Sequence, residues 1–189
     1  MTNDYSVPFI RSGAGRIPSE GGCVMQILSW IKDGSWIDSH SCVHPAIRNL
    51  AIRANDSMED AERQKLIDLI PRMINTNIDD RIINVKLAIF SAEKVLHLYE
   101  SKHPSDNRPR LAIEAAKNYV INPCVDTANA AANAAYAANA AANAADAEND
   151  SYKSLVDFLD YYDTLNPRKI VENDTIVLND IACMIGAAN

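Results

Sequence analysis

Two cysteines and two histidines lie close enough in the sequence to suggest a metal site. His40, Cys42 and His44 alternate with other residues in one short segment, and Cys23 precedes them in a region that is predicted to be helical. Thiolate and imidazole groups are ligands that zinc prefers, so these four residues could bind zinc if the helix packs against the loop. The spacing matches no standard zinc motif. The alternative is that the thiols are small buried apolar groups and the histidines lie at helix ends.

A second group of charged residues begins a predicted helix. Arg108, Pro109 and Arg110 are followed by Glu114, four residues after Arg110. Side chains four residues apart share a helix face, so Arg110 and Glu114 are predicted to form an ion pair, and Asp106 is placed to pair with Arg108. The group is either a docking patch for a partner or a solvated helix start with weak ion pairs.

Acidic residues are concentrated towards the end of the chain. They are Asp146, Glu148, Asp150, Asp157, Asp160 and Asp163. Some of these carboxylates share a helix face, which indicates either contact with a basic partner or an ordinary solvated surface. Asp157 and Asp160 are the two that we expect to contact a partner.

The segment 128–147 consists of alanines interrupted by polar residues at steps of three and four. The polar residues are Asn129, Asn133, Tyr136, Asn139, Asn143 and Asp146. This spacing places them on one side of a helix, and alanine is the strongest helix former. We therefore predict a central helix whose alanine faces let other helices approach closely. Its four asparagines and its tyrosine either line a groove or face solvent.

Amphipathic helices must position all of these groups. Apolar spacing predicts helices over 23–31, 45–56, 57–74, 78–100, 108–119, 151–165 and 178–185, with Ser57 capping the third and Pro71 bending or breaking it. Neither strand–helix alternation nor a hairpin signal is present. The predicted fold is all-α, a single bundle of about six to eight helices around the Ala-rich helix. Residues 1–22 are predicted to be an irregular arm. Residues 23–189 then form the helical domain, with a subdivision into 23–76 and 77–189 as an option.

Composition limits the classes of partner. The 189 residues carry a formal net charge of −7, which repels nucleic-acid phosphates and argues against direct binding of DNA or RNA. No apolar run has the length of a membrane span. The four cysteines include no CxxC pair, and the first residues do not read as a signal peptide. We therefore expect a cytoplasmic protein of a bacterium or of a phage-infected cell.

Two parts of the sequence resemble known groups of proteins. Residues 91–100 and 105–116 read SAEKVLHLYE and SDNRPRLAIEAA. With the Ala-rich run, residues of about 85–150 resemble the immunity-protein family of bacterial polymorphic-toxin systems, which carries a similar Asp-x-Arg-Pro-Arg-x-Ala-Ile-Glu-Ala-Ala segment. This chain departs from the family by having asparagine in the Ala run where relatives tend to have histidine or arginine. The resemblance implies a protein that binds and blocks a protein partner.

The first half of the chain is similar to a different group, of uncharacterised phage and bacterial proteins. The similarity rests on residues 22–25 and on Trp36, Asp38, Cys42, Pro45, Asn55, Asp56, Ile70 and Pro71. It implies no activity.

The leading prediction is a non-enzymatic inhibitor whose acidic helical surface occludes a basic site on a toxin or a defence nuclease. Toxin immunity and phage counter-defence of the anti-CRISPR type are two versions of this function, and charge complementarity would speed association in both. One alternative is an enzyme that binds a metal or a small molecule through the Cys/His group. The other is a helical scaffold that forms homo-oligomers through alanine faces. Zinc in the first alternative is the one cofactor that the residues suggest.

Overall fold

The computed structural model describes residues 8–123 and 150–166 of the chain. Within these ranges the regular structure is helical, and the pairing of Ile10 with Gly22 is an isolated bridge. The predicted all-α fold class is confirmed. The predicted central Ala-rich helix and the helix over 178–185 lie outside the described residues. Among the described helices, none combines the length and the apolar character needed to cross a membrane.

Seven α-helices and two short 3₁₀ segments make up the described part. The helices are α1 Val24–Asp33, α2 Pro45–Ser57, α3 Asp60–Arg63, α4 Ile70–Met73, α5 Arg81–Lys102, α6 Arg108–Ile121 and α7 Ser151–Leu165, and the 3₁₀ segments are Pro18–Glu20 and Gln64–Leu69. Proline lies in the first turn of α2, α4 and α6, where the missing N–H has no intrahelical partner to lose.

The predicted helix over 57–74 is replaced by shorter pieces. Ser57 does not cap its start: it is the last residue of α2, and its hydroxyl donates to the carbonyl oxygen of Ala54 at 3.3 Å. Glu59 occupies the N-cap position of α3. Pro71 is the second residue of α4, which begins at Ile70 directly after the 3₁₀ segment, so the predicted helix is interrupted next to this proline. The cause is that proline is tolerated in a first turn and disrupts a helix interior.

The chain divides into two compact units. Unit 1 contains Met1–Ile78 and Asp150–Asn189, and unit 2 contains Asp79–Asn149. Helix α7 therefore belongs with the N-terminal helices, although α5 and α6 precede it in the sequence. The predicted options, one domain over 23–189 or a subdivision into 23–76 and 77–189, stay predictions.

Unit 1 has an apolar core to which most of its helices contribute. Its largest fully buried side chains are Ile10, Met25, Ile27, Leu28, Ile47, Leu66, Ile70, Met73, Leu155, Phe158 and Tyr162. Helix α7 packs against α2. The hydroxyl of the buried Tyr162 donates to the carbonyl oxygen of Thr76 at 2.8 Å, so the one polar group of this large side chain is satisfied.

Residues 8–22 follow an irregular path that side-chain amides attach to the helices. Gln64 accepts from the amide of Ile10 at 3.1 Å and donates to its carbonyl oxygen at 2.6 Å. Gln26 makes the same two-point contact with Gly15, accepting at 2.8 Å and donating at 3.0 Å. The indole of Trp36 also donates to the Gly15 carbonyl oxygen, at 2.9 Å. The predicted irregular arm is therefore anchored at several points where the structure describes it.

Unit 2 contains α5 and α6, which pack against each other and are joined by residues 103–107. Asp80 caps the start of α5 by accepting from the amides of Ile82 and Ile83 at 2.9 and 3.0 Å. The buried residues between the two helices are Ile89, Ala92, Ile113, Ala116 and Tyr119. This pairing fixes the short turn between the helices, where the charged groups of the α6 start are found.

Candidate functional site

The predicted zinc ligands have separate structural partners. Cys23 is the N-cap residue of α1 and is buried, and its amide donates to Oε1 of Gln26 at 3.3 Å. Burial raises the pKa of the Cys23 thiol, because the charged thiolate loses its hydration. A thiol with a raised pKa is a poor nucleophile and binds metal less readily at neutral pH.

Both ring nitrogens of His40 take part in hydrogen bonds. Nδ1 accepts from the amide of Cys42 at 3.1 Å, so Nε2 carries the proton and donates to Oδ2 of Asp33 at 2.9 Å. His44 caps α2, since its Nδ1 accepts a hydrogen bond from the amide of Ala46 at 3.1 Å. In residues 8–123 and 150–166, no three His, Cys, Asp or Glu side chains form a group that could hold a metal ion. Zinc binding stays a prediction.

The acidic residues of α7 are partly neutralised within unit 1. Asp160 and Asp163 each contact Nη2 of Arg72 at 2.8 Å, and Asp157 contacts Nζ of Lys153 at 2.7 Å. Arg72 lies on α4, so this ion pair connects two helices that are far apart in the sequence. The pKa of Arg72 is raised. Burial is the largest single effect and lowers it, but the hydrogen bonds and charges of the two carboxylates together outweigh burial. Asp157 and Asp160 therefore have structural partners as well as a predicted role in binding.

Asp106, in the turn before α6, receives several hydrogen bonds at one carboxylate. Oδ1 accepts from the backbone amide of Arg108 at 3.1 Å and from its Nε at 2.9 Å. Oδ2 accepts from Nη2 of Arg108 and from the hydroxyl of Tyr99, both at 2.7 Å. The Arg108 guanidinium, followed by the Tyr99 hydroxyl, holds the pKa of Asp106 well below its usual range. The predicted pairing of Asp106 with Arg108 is confirmed.

Arg110 has a similar two-point contact, but with a different residue from the one predicted. Its Nε and Nη2 donate to the two carboxylate oxygens of Glu100 at 2.9 and 2.7 Å. Glu100 lies on α5, so the contact crosses from one helix to the other. The prediction that Arg110 pairs with Glu114 is wrong, because the packing of α5 against α6 brings Glu100 within bonding distance. The pKa of Arg110 is raised mainly by the hydrogen bond with Glu100. The charge of Glu114 adds only a weaker attraction.

The arginines at this turn face solvent more than their carboxylate partners do. The Arg108 side chain is 82% exposed and Asp106 is 18% exposed, while Arg110 is 54% and Glu100 30% exposed. Leu111, the next residue on α6, is 53% exposed. We call the surface formed by Arg108, Arg110 and Leu111 the arginine tip. Its outer layer is cationic and apolar, and the compensating negative charge lies beneath.

The positions of the two arginines are unusual for a helix start. The first turn of α6 contains both cations and no acidic residue. The positive end of the helix dipole disfavours cations there and favours Asp or Glu. Departures from a local rule of this kind are expected at functional sites, and other residues must then compensate for them. Here the compensation comes from Asp106 and Glu100.

The residues predicted for the candidate site include Arg108 and Arg110 but not Tyr99, Glu100 or Leu111. The motif around Arg108 was recognisable because it is local. The three omitted residues have no spacing signal that links them to the arginines. The polar stripe Asn129, Asn133, Tyr136, Asn139 and Asn143, the other candidate site, lies outside the described residues.

Comparison with known proteins is informative for the segment that contains the arginine tip. No curated protein and no solved structure matches the chain. The likeness of the N-terminal half to phage and bacterial proteins and the link to polymorphic toxins stay predictions. Residues 75–156, which include all of α5, α6 and the turn between them, match the family model described as Imm-5 like putative immunity protein.

Proposed function

We propose that this chain is an immunity protein that binds a protein toxin and blocks its activity without catalysis. The observation that carries the proposal is the match of residues 75–156 to the Imm-5 like family. That family description names immunity, and the proposal takes this to be inhibition through a complex between two proteins. The partner, a toxin or a defence nuclease, is the finer part of the proposal.

Blocking a partner in this way requires a rigid surface rather than reactive groups. A binding surface loses less conformational entropy on association when its side chains are already held in place. Arg108 and Arg110 are each held at two points by a carboxylate. Arginine is also one of the residue types that are enriched in protein interfaces and among the residues that dominate their binding energy. The arginine tip therefore supports a binding function.

A toxicity assay tests this proposal. Each protein encoded beside the gene for this chain is expressed from an inducible promoter, with and without the chain, and bacterial growth is measured. We expect one of these proteins to stop growth and the chain to restore it. The purified pair should then elute as one complex in size-exclusion chromatography. Light scattering gives its stoichiometry, and also tests whether the chain alone forms the predicted homo-oligomer.

Two results decide against the proposal. One is restored growth without a complex, which indicates that the chain acts on the product of the toxin or on its target. The other is a complex that leaves toxin activity unchanged in a purified assay. A parallel assay with a guided defence nuclease separates toxin immunity from counter-defence, since inhibition of the nuclease alone favours the latter.

A further inference from the structure

We infer that the arginine tip is the docking surface of this chain and that it fits a cluster of Asp and Glu side chains on a protein partner. The inference rests on the proposed function and adds to it the site and the chemistry of the partner. It differs from the expectation that an acidic surface of this chain meets a basic partner.

The distribution of charge is the first argument. The whole chain has a net charge of −7, but residues 79–123 contain seven Lys or Arg against six Asp or Glu. At the turn, the guanidinium groups of Arg108 and Arg110 are exposed and their carboxylate partners are recessed. A partner that approaches this surface therefore meets positive charge first.

The hydrogen-bonding capacity of the arginines is the second argument. A guanidinium has five N–H groups, and the contact of Arg108 with Asp106 engages its Nε and Nη2. The N–H groups that remain can donate to a second carboxylate. A two-point contact with a carboxylate is the geometry that the planar guanidinium matches best. Arg110 is arranged in the same way on Glu100. Each of the two pre-oriented guanidinium groups can therefore take a further carboxylate from an acidic cluster, beside the one that already holds it.

Leu111 supplies the apolar part of the surface. It lies three residues after Arg108 on α6, so the two side chains share a face of the helix. A partner that covers Leu111 removes it from water, which strengthens the neighbouring ion pairs by excluding solvent. Ile121 is a matched control, because it is also exposed but lies ten residues further along α6, about 15 Å away.

The test uses the full chain and two labelled peptides, decaglutamate and decalysine. Fluorescence anisotropy measures binding at about 50 mM and about 300 mM NaCl, because exposed charge pairs weaken as salt increases. We expect decaglutamate to bind at low salt and to bind about tenfold more weakly to Arg108→Ala combined with Arg110→Ala. Arg108→Lys should give an intermediate loss, since lysine keeps the charge and lacks the fork. Arg16→Ala, an exposed arginine of unit 1, should behave as wild type.

Complex formation with the toxin provides the second readout. Leu111→Ser should weaken the complex, and Ile121→Ser should leave it unchanged. Circular dichroism confirms that each variant is folded. Three results would overturn the assignment: decaglutamate does not bind, the double variant binds it as wild type does, or decalysine is the peptide that binds. A chain that protects cells but ignores decaglutamate keeps the proposed function and loses this site. A chain that binds decaglutamate at the tip but protects no cell does the reverse.

Discussion

The hydroxyl of Tyr99 donates to Oδ2 of Asp106 at 2.7 Å, the oxygen that also accepts from Nη2 of Arg108. The carboxylate thus connects the end of α5 to the first residue of α6. The ring of His103 lies 4.7 Å from the Tyr99 ring, centroid to centroid, and completes the packing of the turn. Tyr99 therefore positions Arg108 indirectly, through the carboxylate that both residues contact.

Replacing Tyr99 with Phe should raise the pKa of Asp106 towards its ordinary value. The variant removes a donor that favours the charged carboxylate, while the hydrogen bonds from Arg108 remain. The pKa of Asp106 is lowered in the folded chain. The charged carboxylate therefore stabilises the fold at any pH above the ordinary pKa of Asp, and this stabilisation is lost as the pH falls through the pKa of Asp106 in the folded chain. NMR titration of the Asp106 carboxyl carbon measures the change. The Ser101→Ala variant, which removes a hydroxyl that bonds to the Leu98 carbonyl, should leave the titration as it is.

Asp33 should make the free energy of unfolding of unit 1 depend on pH in the acidic range. Hydrogen bonds from Ser35 and His40 lower its pKa from 3.8 to about 2. Because the folded pKa is depressed, the stabilising effect of Asp33 is complete above pH 3.8 and is lost as the pH falls from there through about 2. Asp33→Asn should therefore lower the melting temperature near neutral pH, with a smaller difference from wild type near the folded pKa. An equal difference at both pH values contradicts this role.

The buried hydroxyl of Tyr162 should contribute measurably to the stability of unit 1. In Tyr162→Phe the carbonyl oxygen of Thr76 loses its donor at 2.8 Å in a site closed to solvent. Leaving a buried polar group without a partner costs about 1–3 kcal/mol. Urea unfolding, followed by circular dichroism, measures the loss. The matched control on the same helix is Tyr152→Phe, at a half-buried position, for which we expect a change within about 0.5 kcal/mol.

Gly15 should be required for the anchored path of residues 8–22. A Cβ atom at this position would lie 1.8 Å from the backbone carbonyl oxygen of Gly21, and backbone cannot yield as a flexible side chain can. Gly15→Ala should therefore displace the segment and break the hydrogen bonds between the Gly15 backbone and the side chains of Gln26 and Trp36. Hydrogen exchange at residues 8–22 should accelerate, and the fluorescence of Trp36 should change. Ser12→Ala, at an exposed position of the same segment, should alter neither property.

Local sequence signals determined most of the helix boundaries. Helix α7 was predicted over residues 151–165 and has those bounds, because Asp150 caps its start and its apolar residues repeat with the helical period. The first helix and α6 begin and end within about two residues of their predicted limits. Where the local signal was ambiguous, at Ser57, the prediction was wrong. A serine after an acidic helix end is as suitable for the last turn of one helix as for the cap of the next.

The sequence by itself determined the helical class, the proline positions and the pairing of Asp106 with Arg108, all of which depend on residues within about one helix turn. Tertiary structure decided that Glu100 binds Arg110, ten residues away on another helix. It also decided that Arg72 binds Asp160 and Asp163, 88 and 91 residues away. The reason is physical. Helix periodicity states which side chains share a face, whereas the identity of the residue opposite depends on how two helices pack, and no periodicity encodes that.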